Sequence, residues 1–234
     1  MLEDTLQRGL EAMGLPCTDE ALRRFRIYYD LLEERNRVMN LTAIQGEDET
    51  AIKHFLDSAA VLQRFSLGSA QVIDVGSGAG FPGLPLKILA PEMRLTLLDA
   101  QQKRVDFLAE VCAALGFADV QCLHARAEES GTLRERFDFA TARAVARLNL
   151  LSELCLPFVK VGGAFLALKG PGASEELAEA SGALRKLGGK EETVCEYALP
   201  GEETHHNIVV LRKTAPTPKQ YPRRYAQMKK SPLT

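Results

Sequence analysis

Residues 71–83 read Gln-Val-Ile-Asp-Val-Gly-Ser-Gly-Ala-Gly-Phe-Pro-Gly, and they restrict the possible folds more than any other stretch of the chain. Val72, Ile73 and Val75 form a short β-branched apolar run, the pattern of a strand buried on both faces of a parallel sheet. Gly76, Gly78 and Gly80 follow at once. With no Cβ in the way, the backbone there turns tightly and a ligand can approach it closely. Leu84, Leu86, Ile88 and Leu89 predict a helical stretch whose N-terminus is aimed at the same turn. Strand, glycine turn and helix in that order form a site for a nucleotide-type molecule.

Two chemistries compete for this turn. Gly78, Gly80 and Gly83 satisfy Gly-x-Gly-x-x-Gly, the spacing of a dinucleotide site. Asp74-Val75-Gly76-Ser77-Gly78-Ala79-Gly80 fits, without a gap, the acid-x-Gly-x-Gly-x-Gly motif of class I S-adenosyl-L-methionine methyltransferases. That cofactor carries an ammonium and a sulfonium instead of a pyrophosphate, so a carboxylate at the strand end, Asp74, suits it better. A plain glycine turn with no ligand is the third reading. We favour the methyltransferase.

The next segments fit that choice. Arg94-Leu-Thr-Leu-Leu-Asp99 is a second strand ending in an acid, 19 residues after Gly80, the separation at which a carboxylate reaches a ribose hydroxyl pair. Asp99 is equally placed to cap a helix predicted over 101–115, whose apolar face carries Val105, Leu108, Val111, Cys112 and Leu115. A third strand, 120–123, leads to Ala125-Arg126-Ala127-Glu128. Glu128 and the backbone beside it sit where an adenine ring would lie; an exposed acid at a helix start is the alternative.

Alternating strands and helices occupy the middle of the chain. Strands are predicted near 71–75, 94–99, 119–124, 137–142 and 163–169. After a helix at 174–187 come strands 192–199 and 206–213, separated by a Pro200-Gly201 turn. This is an α/β pattern: a Rossmann-like, mostly parallel seven-stranded sheet closed by an antiparallel hairpin. Residues 1–66 read as a helical extension with apolar faces at Leu2/Leu6/Leu10/Met13, Leu22/Phe25/Ile27/Tyr28/Leu31/Leu32 and Ile52/Phe55/Leu56/Ala59/Ala60/Leu62. Asn36 to Ile44 is too polar and β-branched to continue a helix. The expected division is a helical region 1–66, a Rossmann-like domain 67–213 and an irregular basic tail 214–234.

At 234 residues and 46% hydrophobic content the chain can bury a large core. No apolar run approaches the ~20 residues of a membrane span, and nothing resembles a signal peptide. The five cysteines are scattered, with no Cys-x-x-Cys, so neither a disulfide framework nor a metal site is expected and a cytoplasmic setting is the simplest. The net charge of −2 conceals an asymmetry: residues 212–234 hold seven basic residues and no acid, on an otherwise acidic body. A basic end of this kind fits a polyanionic partner, or is a solvated tail.

The segments Asn40-Leu-Thr-Ala-Ile44, His54-Phe-Leu-Asp-Ser58, Asp74 to Gly83, Arg143-Ala-Val-Ala146, Lys169-Gly170 and Thr217-Pro-Lys-Gln-Tyr-Pro-Arg223 together resemble the bacterial small-subunit ribosomal RNA guanine-N7 methyltransferases, also known as glucose-inhibited division protein B. The likeness runs from about residue 36 to the end of the sequence. It implies an S-adenosyl-L-methionine enzyme that methylates N7 of one guanine in 16S rRNA, acting on that RNA or on the small ribosomal subunit. It maps cofactor contacts onto Gly76, Phe81, the Asp99–Gln101 region, Ala127, Glu128 and Arg143. One departure lies in the tail, where the family's Pro-Gly turn and following Pro are replaced by Tyr225, Ala226 and Met228.

Guanine N7 is a lone-pair nucleophile with no proton to lose, so the reaction needs positioning and no general base. In agreement, no Asn-Pro-Pro-Tyr motif follows strand four, and Cys155-Leu-Pro157 lies in an apolar helical stretch. Arg143 ends strand four where substrate and cofactor should meet. It is expected to bind guanine O6, a phosphate or the cofactor carboxylate, or else to form a structural ion pair. His54 and Asp57, three apart on one helical face, line the site or form a structural pair. Lys169 meets an RNA phosphate or caps the sheet edge; His205 and His206 receive no role. Arg223, Arg224, Lys229 and Lys230 are expected on RNA phosphates, with Tyr221 or Tyr225 free to stack on a base. The alternatives to an RNA methyltransferase are a nicotinamide-dependent oxidoreductase and an RNA-binding module without activity. The protein is expected to work as a monomer.

Overall fold

A computed structural model describes residues 1–234. Seven strands form one sheet: β1 Gln71–Val75, β2 Arg94–Asp99, β3 Gln121–His124, β4 Phe137–Arg143, β5 Val159–Lys169, β6 Gly189–Ala198 and β7 His205–Lys213. Their spatial order is β3-β2-β1-β4-β5-β7-β6. The first five are parallel and the β6–β7 hairpin is antiparallel, with β7 inserted between β5 and β6. The chain runs outward from β1 to β3, then returns to the other side of β1 at β4. The carboxyl ends of β1 and β4 are therefore a topological switch point, where α/β sheets hold their ligands.

The helices are α1 Leu2–Ala12, α2 Asp19–Met39, α3 Glu47–Thr50, α4 Asp57–Ala59, α5 Gly83–Leu89, α6 Gln102–Ala114, α7 Leu148–Cys155, α8 Ala173–Leu187 and α9 Tyr225–Lys230. Successive strand residues face opposite sides of the sheet. Val72, Leu95, Leu97, Leu166 and Val210 pack with Leu6, Phe25, Tyr28 and Phe55 of the N-terminal helices. Ile73, Leu98, Phe165, Val209 and Leu211 pack with Leu151, Leu177 and Leu184 of α7 and α8. The N-terminal helices thus share one apolar core with the sheet. No helix is long and apolar enough to cross a membrane.

Two segments differ from the sequence expectation. Helix α2 continues through Asn36 to Met39 and stops at Asn40, which sits in the left-handed region at φ 50°. Asn36 explains the extension, because its side chain donates to the Thr42 carbonyl and accepts from the Thr42 N–H, tying the helix end to the turn beyond. Between α3 and α4 the chain winds a π-helical turn, Ala51–Leu56, and a 3₁₀ turn, Ala60–Gln63, follows α4. The wider π turn shifts the register of His54 and the Lys53 carbonyl, a feature common at functional sites.

The tail has regular structure only in α9 and is otherwise irregular, yet it is tied to the body of the protein. Lys213 is fully buried, donating to the Leu156 carbonyl and Thr217 Oγ1; burial lowers its pKa to about 8. Arg134 donates to the carbonyls of Thr217 and Tyr221. Arg223 grips Glu153 with Nε at 2.8 Å and Nη2 at 2.6 Å, while its backbone N–H meets the same carboxylate at 2.8 Å. Met228 and Leu233 are buried in the core beside α7 and α8. Folding back is enforced by Glu153, whose side chain is 1% exposed and needs a compensating cation. Removing that cation strands a buried charge. Arg223→Ala should therefore cost about 3–5 kcal/mol in a denaturant titration, and the double change with Glu153→Leu should recover much of the loss. Equal stability of Arg223→Ala and wild type would show that Arg223 does not clamp the tail.

Candidate functional site

A cavity of about 620 Å³ opens at the carboxyl ends of β1, β2 and β3. Gly76, Gly78, Phe81, Asp99, Gln101, Ala127, Glu128, Arg143 and His54 all line it. Gly78 has φ 59°, and a Cβ there would find nothing nearer than the Gly76 carbonyl at 3.9 Å. The loop therefore presents bare backbone to the cavity. Gly80 does not line it. A Cβ on Gly80 would stand 2.5 Å from the Tyr28 hydroxyl and 2.6 Å from Leu84, so this glycine serves packing against α2. Tyr28 Oη also donates to the Ala79 carbonyl, fastening the loop to α2.

Asp74 corrects a second expectation. It is fully buried and turned under the loop, away from any cationic ligand. Its Oδ2 accepts from the Gly83 N–H at 3.1 Å and its Oδ1 from Thr141 Oγ1 at 3.2 Å. It is a bracket between loop, α5 and β4. Burial raises its pKa to about 7. Asp99 does face the cavity, 4% exposed. Its Oδ2 accepts from the Gly78 N–H and its Oδ1 from the Gln101 N–H, each at 2.9 Å. It therefore holds the glycine loop and caps the approach to α6, and carboxylate lone pairs remain for hydroxyl donors. The Glu128 side chain is 10% exposed, with Arg126 beside it at the rim.

Arg143 stands at the centre of the site. Nη1 donates to the Lys53 carbonyl at 2.9 Å and to Asp57 Oδ2 at 2.7 Å, Nη2 donates to His54 Nδ1 at 2.9 Å, and the guanidinium lies 4.9 Å above the Phe81 ring. Three of its five N–H groups are thus committed. His54 Nδ1 lies 2.9 Å from Arg143 Nη2, which can only donate, and 3.1 Å from the Lys53 carbonyl; acceptance of the shorter contact puts the imidazole proton on Nε2, from which it is given to Thr42 Oγ1 at 2.7 Å. His54 also stacks on Phe81 at 4.3 Å. Burial, and then the neighbouring Arg143 charge, lower its pKa to about 3. It is a neutral imidazole at physiological pH.

On the other side of Arg143 lies a second cavity of about 360 Å³, lined by Lys53, Asp57, Lys169, Tyr197 and His206 among others. The two cavities share His54, Arg143 and Ala144. Asp57 Oδ1 accepts from Tyr197 Oη at 2.7 Å and stands 3.4 Å from His206 Nδ1. Tyr197 and His206 are directly paired across the β6–β7 hairpin. Neither Tyr197 nor His206 carries a local signal in the sequence; the hairpin pairing brings Tyr197 to Asp57 from 140 residues away along the chain. Lys169 is fixed by the Ala146 carbonyl at 2.6 Å and Glu176 at 2.7 Å. Arg223 is elsewhere, bound to Glu153, whereas Arg224, Lys229 and Lys230 are exposed.

The depressed His54 pKa has a consequence for stability. Protonation is favoured in the unfolded chain below pH 6.5 and resisted in the folded one until about 3. The stabilisation from neutral His54 is complete above 6.5 and drains away as pH falls through that window. In His54→Gln the acid-side decline of melting temperature between those values should be shallower than in wild type. A wild-type decline identical to the variant's would show that His54 does not titrate this way.

Comparison with known proteins agrees with this geometry. The family model GidB, rRNA small subunit methyltransferase G, matches residues 21–206. The ribosomal RNA small subunit methyltransferase G of Clostridium beijerinckii is 46% identical over 98% of both chains, and that of an Exiguobacterium species is 46% identical over 100% of both. Among solved structures, a SAM-dependent methyltransferase from Aquifex aeolicus superposes with a TM-score of 0.51 at 22% identity, over 66% of this chain and 89% of that one. The fold is that of the S-adenosyl-L-methionine-dependent methyltransferases, and full-length identity at this level together with the match of the family model makes the chain a member of the rRNA small subunit methyltransferase G family.

Proposed function

We propose that this protein transfers a methyl group from S-adenosyl-L-methionine to N7 of one guanine in 16S rRNA, in the cytoplasm and as a single chain. The observation that carries the reading is the meeting of two cavities at Arg143, His54 and Ala144, since methyl transfer needs a donor site and an acceptor site that share a wall. The cofactor, when bound, supplies an activated methyl on a sulfonium. The bare backbone at Gly78 and the inward carboxylates of Asp99 and Glu128 suit its ribose and base.

The acceptor side is arranged for positioning. His54 is held neutral and engaged at both nitrogens, and Arg143 can only donate, so neither residue of the shared wall is available as a base. N7 needs none; its lone pair must stay unbonded and in line. The two uncommitted Arg143 N–H groups suit guanine O6, the acceptor beside N7. The A-form major groove, where N7 lies, is too deep and narrow to enter, so the guanine must come from an unpaired stretch. Arg224, Lys229 and Lys230, with no acid against them, are the tail's cations for the flanking phosphates; Lys169 is committed to Glu176 and closes the acceptor cavity.

The test is incorporation of labelled methyl into small ribosomal subunits lacking the modification, followed by chain cleavage at 7-methylguanine. Label elsewhere than at a guanine N7, or none, overturns the reading. Within it, Asp99→Ala should weaken S-adenosyl-homocysteine binding about tenfold to a hundredfold, from charge-assisted hydrogen bonds of about 1.5–3 kcal/mol. An analogue without ribose hydroxyls should lose less. Equal losses for both ligands would assign Asp99 to the loop alone.

A further inference from the structure

Of the fifteen Phe and Tyr residues in the chain, only Tyr225 is among the exposed large hydrophobic side chains, at 38%. Tyr225 is held firmly. Arg223, two residues before it, grips buried Glu153, and Met228, three residues after it on α9, is fully buried. The ring is thus delivered to one place by contacts that do not involve the ring.

That place is the cofactor cavity. Tyr225 lines it together with Leu98, Ala125, Ala127, Glu128 and Leu154, the group that follows from the carboxyl ends of β2 and β3 and from α7. The lining is apolar around Ala125, Ala127 and Leu154, with the Glu128 carboxylate at its edge. Apolar surface with one acceptor suits a flat heterocycle carrying an exocyclic amine, stacked on an aromatic face. Tyr225 does not line the acceptor cavity. Tyr221, the other tyrosine of this segment, is half-buried against the core and does not line this cavity.

We propose that Tyr225 is the aromatic wall against which the cofactor's adenine stacks, so that the C-terminal segment completes the cofactor site. This rests on reading the larger cavity as the S-adenosyl site. The cations of α9, Lys229 and Lys230, face outward from the same six-residue helix. One element therefore carries both a wall of the cofactor cavity and charges suited to RNA phosphate.

The experiment is calorimetric titration of the full-length protein with S-adenosyl-homocysteine, alongside melting temperature and the Michaelis constant for unmodified small subunits. Tyr225→Ala should weaken ligand binding about tenfold, in the range known for loss of a base–aromatic stack, with an unchanged melting temperature. Tyr225→Phe should bind like wild type, since the ring and not the hydroxyl is used. Replacing Lys229 and Lys230 by Gln should raise the RNA Michaelis constant and leave ligand affinity unmoved. Unchanged ligand affinity in Tyr225→Ala overturns the proposal, and a raised RNA Michaelis constant in that variant would give the ring to a nucleobase of the substrate instead. Wild type failing to bind the ligand at all would overturn the S-adenosyl reading itself, a result distinct from a failure of Tyr225 alone.

Discussion

The ion pair between Arg143 and Asp57 joins the two halves of this molecule. Arg143 comes from the end of β4 and Asp57 from the helical segment 86 residues earlier, and both side chains are largely withdrawn from water at 14% and 7% exposure. A pair in such surroundings is costly to desolvate and is held by its additional hydrogen bonds. Here the Lys53 carbonyl, His54 and the Tyr197 hydroxyl supply them. The wall between the two cavities is built from this cluster, with Phe81 of the glycine loop stacked beneath it. The shape of both cavities thus depends on one buried charge pair whose partners belong to separate layers of the fold.

The parts of the molecule legible in the sequence are those set by local pattern. The mainly apolar runs at 71–75 and 94–99 coincide with β1 and β2, because a strand buried on both faces is written as a largely apolar stretch. The glycine loop and the terminal hairpin were legible for similar reasons. What was not legible depends on distance or direction. Asp74 has the spacing of a ligand carboxylate, but nothing in that spacing says that it turns toward Thr141 and Gly83. Gly80 looks like its neighbours and in fact makes room for Tyr28. Tyr197 and His206 carry no local mark at all; only the hairpin register places them at Asp57.

The tail illustrates the limit of composition. Seven cations in 23 residues read as a basic arm, yet their environments diverge. Arg212 is paired with Glu192, Lys213 is buried against the Leu156 carbonyl and the Thr217 hydroxyl, and Arg223 neutralises Glu153. Lys219, Arg224, Lys229 and Lys230 alone remain exposed without an acid against them. The same composition serves internal electrostatics at some positions and outward charge at others, and beyond Arg223, the arginine that clamps the segment in place, every cation faces outward.

The position of β7 has a consequence for how the molecule comes into being. Because β7 lies between β5 and β6, both neighbours carry unpaired backbone edges until residues 205–213 have been synthesised. During translation β1 to β5 can assemble, helped by the early helices that cover one face. The growing chain nonetheless exposes an open sheet edge at β5, and its acceptor cavity lacks the wall that the hairpin provides. Insertion of β7 is a late, non-local step, and such pairings close slowly. A nascent chain of this kind is vulnerable to edge-to-edge association for as long as ribosomes delay over its last fifth.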